Sequence, residues 1–534
     1  MKRVVPRLLI GLVLSAVGVD SMAAPPKPPR QDSALPGSAG FAPTPARPVG
    51  WRGDGTGHYP GATPPTAWER TGDASSGYVT KDIAWMTPLP STGVSCPIIV
   101  GNRIYLTAEI SDLICIDKST GKILWIRSNP EFDAVSPAER KANPEYAEKL
   151  EPLLAELDKT NAELVEALNA KIPTAAATAF QVVGPAQRKK EIEKQIADGQ
   201  KAIDKKKFDR YWGQAVFGFA GPTPTSDGKH VCAFFTTGVS VCYDLDGKKK
   251  WSALGKGGGS EHGNFASPLL IGNQFVVWAN EMRGYDVETG KLLWANPAKS
   301  NNTYGSLFRL SVGNELVAGF QSGFFTRIRD GKAIWGNGIF GDTVETPIVE
   351  GSAILATVGY PRNADKLGFK AFKIPSSTDG PGPTAVYTFK TEWKDDEVPV
   401  EKGKSDFARG FVSSPLFVNG LVYRLTQAGG LIVNDANTGD IVYRKVTPLQ
   451  PRTHYWDWAG CAASPTLAGK YIYLMDNQGH TVIIEPGKTY KEVAKNFLQD
   501  SKDGTEQVQN VSTPVFEGSR MYYRTPNYLY CIGG

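Results

Sequence analysis

The chain has 534 residues, 41% hydrophobic, 10% aromatic and 21% charged, which excludes a disordered or collagen-like polypeptide and exceeds one small domain. Its 57 glycines and 38 prolines imply frequent turns and short elements, and a formal net charge of +5 does not point to a nucleic-acid partner. Five histidines and six cysteines are scattered without C-x-x-C, H-E-x-x-H or C-x-x-C-H, which sets aside zinc fingers, zincin proteases and covalently attached c-type haem.

Met1-Lys2-Arg3 and Arg7 precede the apolar run from Leu8 to Val17, and Ser21-Met22-Ala23 supplies small residues at a cleavage position. This pattern predicts a secretory signal over residues 1–23, too short to span a bilayer, and an exported protein, periplasmic or secreted. No cysteine lies near the cleavage point, so no lipidated start is expected, and no other segment is apolar enough for a transmembrane span. Residues 24–49 are proline-rich and aperiodic, which reads as an extended tether before a body covering 50–534.

From there the chain repeats itself. One unit recurs: a small residue and Pro, an apolar run, a Gly or Asn-Gly turn, further β-rich runs, then Asp-x-x-Thr-Gly-Lys-x-x-Trp. Lys81-Asp82-Ile83-Ala84-Trp85 is a solitary ending, and the first full copy opens at Ser95-Cys96-Pro97 and closes Asp117–Trp125. Between Trp125 and Trp212 the repeat is interrupted. Leu153, Leu154, Leu157, Leu164 and Leu168, then Ile192, Ile196 and Ile203, recur at helical spacing and predict a protruding hairpin of two helices of about 25 residues within 128–210. It is either a solvated arm resting on the body or a docking element for another protein. Another copy runs from Ser267-Pro268 to Asp286–Trp294, and weaker copies open near Pro224, Leu307, Pro347, Pro415, Pro465 and Pro514. A Gly/Pro-rich insertion at 361–384 reads as a loop. The last copy, Thr513–Ile532, stops without its Trp strand.

Each copy holds three or four β-runs of about five residues joined by tight turns. Single sheets of that size are marginal alone, and radial packing buries both faces. The fold expected is therefore all-β: an eight-bladed β-propeller closed by the N-terminal strand at Ile83–Trp85, with an inserted α-helical hairpin; a β-solenoid is the competing answer. Trp85, Trp125, Trp251, Trp294, Trp335 and Trp393, with Tyr443 substituting, are expected to pack between neighbouring sheets. Cys115, Cys242 and Cys531 share one repeat position as small core residues, and Cys232 and Cys242 could bridge across a hairpin.

The repeat ending Asp-x-x-Thr-Gly-Lys-x-x-Trp, matched fully at Asp117–Trp125 and Asp286–Trp294, resembles the pyrroloquinoline-quinone (PQQ)-type propeller repeat and its tryptophan-docking motif, and Trp51-Arg52-Gly53-Asp54-Gly55-Thr56-Gly57 resembles the start of exported BamB-like proteins. That family joins quinoprotein alcohol dehydrogenases with non-catalytic scaffolds. The adjacent Cys-Cys of the dehydrogenases is missing here, and so is the lipidated Cys of BamB-type lipoproteins. The resemblance thus implies a BamB-like scaffold for an unidentified protein partner, without cofactor and without catalytic residues; the alternative is a PQQ- and calcium-dependent dehydrogenase of alcohols or sugars.

In a propeller the segments entering the inner strands converge on one mouth of the channel. Trp456, Trp458, Arg409 and His262 are the candidates there for gripping a flat anionic ligand, and Glu345, Asp342, Asn264 and Asp457 for holding calcium. The other reading is that the two tryptophans plug the channel while the polar groups satisfy one another.

Overall fold

The computed structural model describes residues 34–73, 77–170, 184–209, 218–257, 265–297, 304–336, 338–341, 343–359, 368–391, 410–452, 460–500 and 510–534. Among them the strands form seven four-stranded sheets and one of seven strands, with few helices. Numbered by their first inner strand, sheet 1 holds Ile98–Val100, Arg103–Ala108, Asp112–Asp117 and Ile123–Ser128. Sheets 2 to 7 begin at Thr225–Ser226, Leu269–Ile271, Phe308–Val312, Ile348–Glu350, Leu416–Val418 and Thr466–Ala468. Sheet 8 holds Val515–Glu517, Arg520–Arg524, Tyr528–Ile532 and, as its outermost strand, Ile83–Pro88, which pairs antiparallel to Tyr528–Ile532 with Trp85 opposite Cys531.

Local chemistry explains the repeat ending. Asp286 Oδ1 accepts the N–H and hydroxyl of Thr289 at 2.9 and 2.7 Å, which folds the turn, and Gly290 sits in it at φ +70°. A Cβ on Gly290 would lie 2.5 Å from the Trp251 ring of the preceding sheet. Gly121 against Trp85 and Gly247 against Trp125 repeat the arrangement, each at 2.7 Å. Several of these Trp also have a small residue opposite them on the neighbouring strand. Cys115 faces Trp125, Cys242 faces Trp251 and Gly284 faces Trp294. Cys232 and Cys242 are opposite one another and disulfide-bonded.

The small residue at each opening has its own task. The Cys96 N–H donates to Thr223 Oγ1 at 3.0 Å, Thr223 to Ser267 at 3.0 Å, Ser267 to Ser306 at 3.4 Å and Ser306 to Thr346 at 2.8 Å. Thr346 donates to Ser414 at 2.9 Å, Ser414 to Ser464 at 3.0 Å, Ser464 to Thr513 at 3.1 Å, and the Thr513 N–H returns to Cys96 Sγ at 3.3 Å. The circuit is closed, and sulfur is its poorest acceptor. Cys96→Ser is expected to leave stability equal or raise it by up to about 1 kcal/mol, whereas Cys96→Val, which orphans a buried N–H, should cost about 1–3 kcal/mol in urea unfolding.

Residues 34–49, expected as part of an extended tether, are instead held against the sheets, because their main chain finds partners there. Val49 and Ser226 exchange both main-chain hydrogen bonds at 2.8 Å, and Thr225 Oγ1 donates to Val49 O at 2.7 Å. Arg309 of sheet 4 donates to Ala46 O at 3.3 Å. Further on, the buried Arg52 guanidinium donates to Pro415 O at 3.0 Å and Pro465 O at 2.7 Å, and His58–Tyr59 adds a parallel strand to Thr466–Ala468. Gly518 N–H donates to Gly37 O and Gly518 O accepts from Thr63, both at 2.7 Å. With Pro268, Leu307 and Thr346 this segment encloses a hollow of about 300 Å³, and with Pro97 and Val515 a smaller one. It thus meets the inner region of every sheet at the end where the first hairpin turns lie.

The inserted arm comprises α1 (Pro137–Ala142), α2 (Glu151–Asn169) and α3 (Gly184–Ile203). The two long helices have 19 and 20 residues, shorter than the expected 25. The arm does not protrude. Leu164 and Leu168 belong to the core shared by sheets 1 and 8, while Leu157, Ile192 and Ile196 pack on Phe132 and Val135. Asn169 both accepts from Ile123 N–H and donates to Ile123 O at 2.8 Å, so its amide stands in for a further strand on that edge.

Candidate functional site

Strand alternation puts the segments entering the inner strands, and the loops between second and third strands, at the end of the inner strands away from their first hairpin turns. Of the eight residues expected to converge there, Trp456, Trp458, Arg409, His262, Asp342, Asn264 and Asp457 lie outside the described residues. Glu345 is described and buried. Its Oε2 accepts the Thr357 hydroxyl at 2.7 Å, and its Oε1, without a hydrogen-bond partner among the described residues, lies 3.9 Å from Arg424 Nη2.

Arg424 is the residue the sequence reading missed. It stands in Leu421–Leu425, donates to Thr357 Oγ1 at 3.3 Å, and lies over the rings of Phe411 at 3.8 Å and Phe369 at 4.2 Å. Burial pushes the Glu345 carboxyl up, opposed by Arg424, and burial pulls the Arg424 guanidinium down to about 10, opposed by Glu345. The signal available was a lone cation in an otherwise apolar strand. Calcium takes six to eight oxygen ligands. Glu345 offers one unpartnered oxygen beside a guanidinium that repels a cation, which makes it a poor donor to the calcium of the alternative reading, whose other three candidate ligands lie outside the described residues.

Arg524 occupies a comparable place between sheets 8 and 1. Its Nη1 donates to Ser95 Oγ at 2.6 Å, Thr107 O at 2.7 Å and Ser95 O at 3.3 Å, and burial pulls it down to about 9. Asn510, in the segment entering Val515–Glu517, donates to Arg524 O at 2.8 Å and accepts Ser512 N–H at 3.0 Å, a structural task.

Nearby, a cleft of about 670 Å³ separates the arm from the rim of sheets 1 and 8, lined by Leu89, Glu109, Leu168, Lys190, Glu193 and Tyr528 among others. Glu109 accepts the Ala220 N–H at 2.7 Å and the Phe219 N–H at 2.7 and 2.9 Å to its two oxygens. Burial pushes its carboxyl up to about 7, against the pull of those N–H groups. A carboxyl raised on folding favours the fold while protonated, so its contribution is complete below about pH 4.5 and lost as pH rises through 7. Unfolding free energy is expected to fall by up to about 3 kcal/mol over that window, and Glu109→Gln should flatten the profile measured by urea titration.

Among the described residues no helix is long and apolar enough to cross a membrane, and no group of three or more His, Cys, Asp and Glu gathers as for a metal ion. Solved structures similar to the chain include BamB from Moraxella catarrhalis, with 13% identity over 58% of this chain and 80% of that one and a TM-score of 0.40. Quinohemoprotein alcohol dehydrogenase from Comamonas testosteroni shows 14% identity over 85% and 76%, at 0.44, and the computationally designed Ika8 protein 10% over 83% and 97%, at 0.41. No curated protein matches the chain. The family model described as outer membrane protein assembly factor BamB matches residues 73–149, 201–364 and 404–533, passing over α2 and nearly all of α3. With most of its residues matched, the chain belongs to the BamB family of PQQ-type β-propellers.

Proposed function

We propose that this chain is an exported, non-catalytic scaffold for protein–protein interaction. In this reading residues 1–23 direct it to the periplasm, and the sheets are the blades of an eight-bladed propeller in which Ile83–Pro88 completes the last one. The Trp endings act as docking residues between blades, and the arm within 128–210 serves a partner protein. The family match over the sheets carries the reading. The Glu345–Arg424–Thr357 arrangement supports it, since Thr357 takes one carboxylate oxygen and the Arg424 guanidinium stands 3.9 Å from the other, where it opposes a cation.

The test pairs two measurements on the full chain. Titration with PQQ and calcium should give no saturable quinone uptake and no dye reduction with alcohols or sugars. A photo-crosslinker at exposed Lys194 or Gln195 should give one discrete protein adduct in periplasm. Quinone uptake with dye reduction that is lost in Trp456→Ala or Glu345→Ala would overturn the proposal in favour of a dehydrogenase.

A further inference from the structure

The outermost strand of a sheet presents unpaired N–H and C=O groups, which soluble proteins blunt with charge, proline, brevity or a covering element. The outer strands here show each device. Ile123–Ser128 lies under α2, and Glu492–Leu498 is continued by Glu69–Asp73 and by Gly77–Lys81, which carries Lys81. Lys249–Leu254 starts with two lysines, and its Ser252 hydroxyl donates to Asp133 O at 3.1 Å. Leu292–Pro297 ends in proline, Lys332–Ile334 has three residues, and Ile441–Val446 carries Arg444 and Lys445.

Thr384–Phe389, the outer strand of sheet 5, has none of these. It is six residues long, uncharged and free of proline, and among the described residues it pairs only with Gly368–Lys373. Thr384, Ala385, Val386 and Thr388 are exposed, Val386 by 62%. The one-residue register shift in its ladder recurs in sheets 1, 2 and 3 and so does not distinguish it.

We propose that this edge pairs with the same edge of a second copy of the chain, antiparallel across a twofold axis. Self-pairing opposes only Thr, Ala, Val, Tyr and Phe, so no like charges meet. A twofold contact uses one patch on both copies and closes, whereas a head-to-tail contact between different patches can run on into a filament. In the hydrogen-bonded circuit sheet 5 stands four places from sheet 1, so the arm is on the far side, and among the described residues no element covers this edge. One six-residue strand pair buries less than the roughly 1,200 Å² of a stable interface, so the dimer is weak and reversible.

Sedimentation velocity of the full chain from low to high micromolar concentration should show a monomer–dimer equilibrium, with amide exchange at 384–389 slowing as concentration rises. Val386→Lys and Thr388→Lys, both at exposed positions, place a charge on an otherwise uncharged edge and should each weaken association about tenfold with unchanged circular dichroism. A monomer at every concentration, or a dimer indifferent to both substitutions, would overturn the proposal.

Discussion

Trp251→Ala is expected to lower the unfolding free energy by about 3–5 kcal/mol, the range for deleting a buried large aromatic. Trp251 stacks on Tyr285 with ring centroids 5.9 Å apart, and its Nε1–H donates to Val287 O at 2.7 Å, so one side chain joins sheets 2 and 3. The complementary change, Gly290→Ala, should cost about 2–4 kcal/mol, combining positive-φ strain with a methyl driven into the indole. Gly518→Ala separates these contributions. Gly518 has φ +56° with open space where its Cβ would be, so only the backbone strain of about 1–2 kcal/mol should appear. In the Trp251→Ala background Gly290→Ala should fall to that same figure. Urea unfolding of the four variants checks the set, and equal costs for Gly290 and Gly518 would mean the indole yields.

The second large effect is expected at the arm. Lys189 of α3 is buried against the sheet, with Nζ 2.8 Å from Ser128 Oγ, 3.1 Å from the fully buried Asp112 Oδ1 and 2.8 Å from Glu193. Burial pulls the ammonium down, and Asp112 and Glu193 more than reverse it, so its pKa ends above the usual lysine value. Lys189→Met leaves Asp112 buried without its counter-ion and should cost about 3–5 kcal/mol. Adding Asp112→Asn removes the stranded charge and should recover a large part. Hydrogen exchange should rise across α2 and α3 while sheets 3 to 6 keep their protection. Unchanged exchange in the helices would show that the apolar contacts of Leu164 and Ile196 hold the arm unaided.

The repeat ending was legible because each of its residue types has a short-range geometric task. Asp286 ties the turn, Thr289 supplies its hydroxyl, Gly290 takes the left-handed conformation and clears space, and the Trp fills that space. The opening was half legible: the small residue before proline stood out, but its acceptor role needs the next sheet's register. The part of the tether from Ala34 to Val49 was misread because its partners, such as Thr225 for Val49, lie 176 residues away and leave no local pattern. At the candidate site the segments entering the inner strands were legible, yet Glu345 appeared as a prospective ligand because Thr357 and Arg424, which answer it, come from neighbouring strands. Lys189 resembled any other lysine of a basic helix until its burial against Asp112 was seen.

Because the stretch from Pro36 to Thr63 meets all the sheets, and Ile83–Pro88 waits for Tyr528–Ile532, the earliest-made residues of the body can reach their places only after the last have been synthesised. Vectorial folding from the ribosome therefore cannot finish the molecule piecemeal. Its final consolidation is a late, all-at-once event governed by long-range loop closure. Truncation at either terminus should consequently impair all the sheets rather than the nearest one alone.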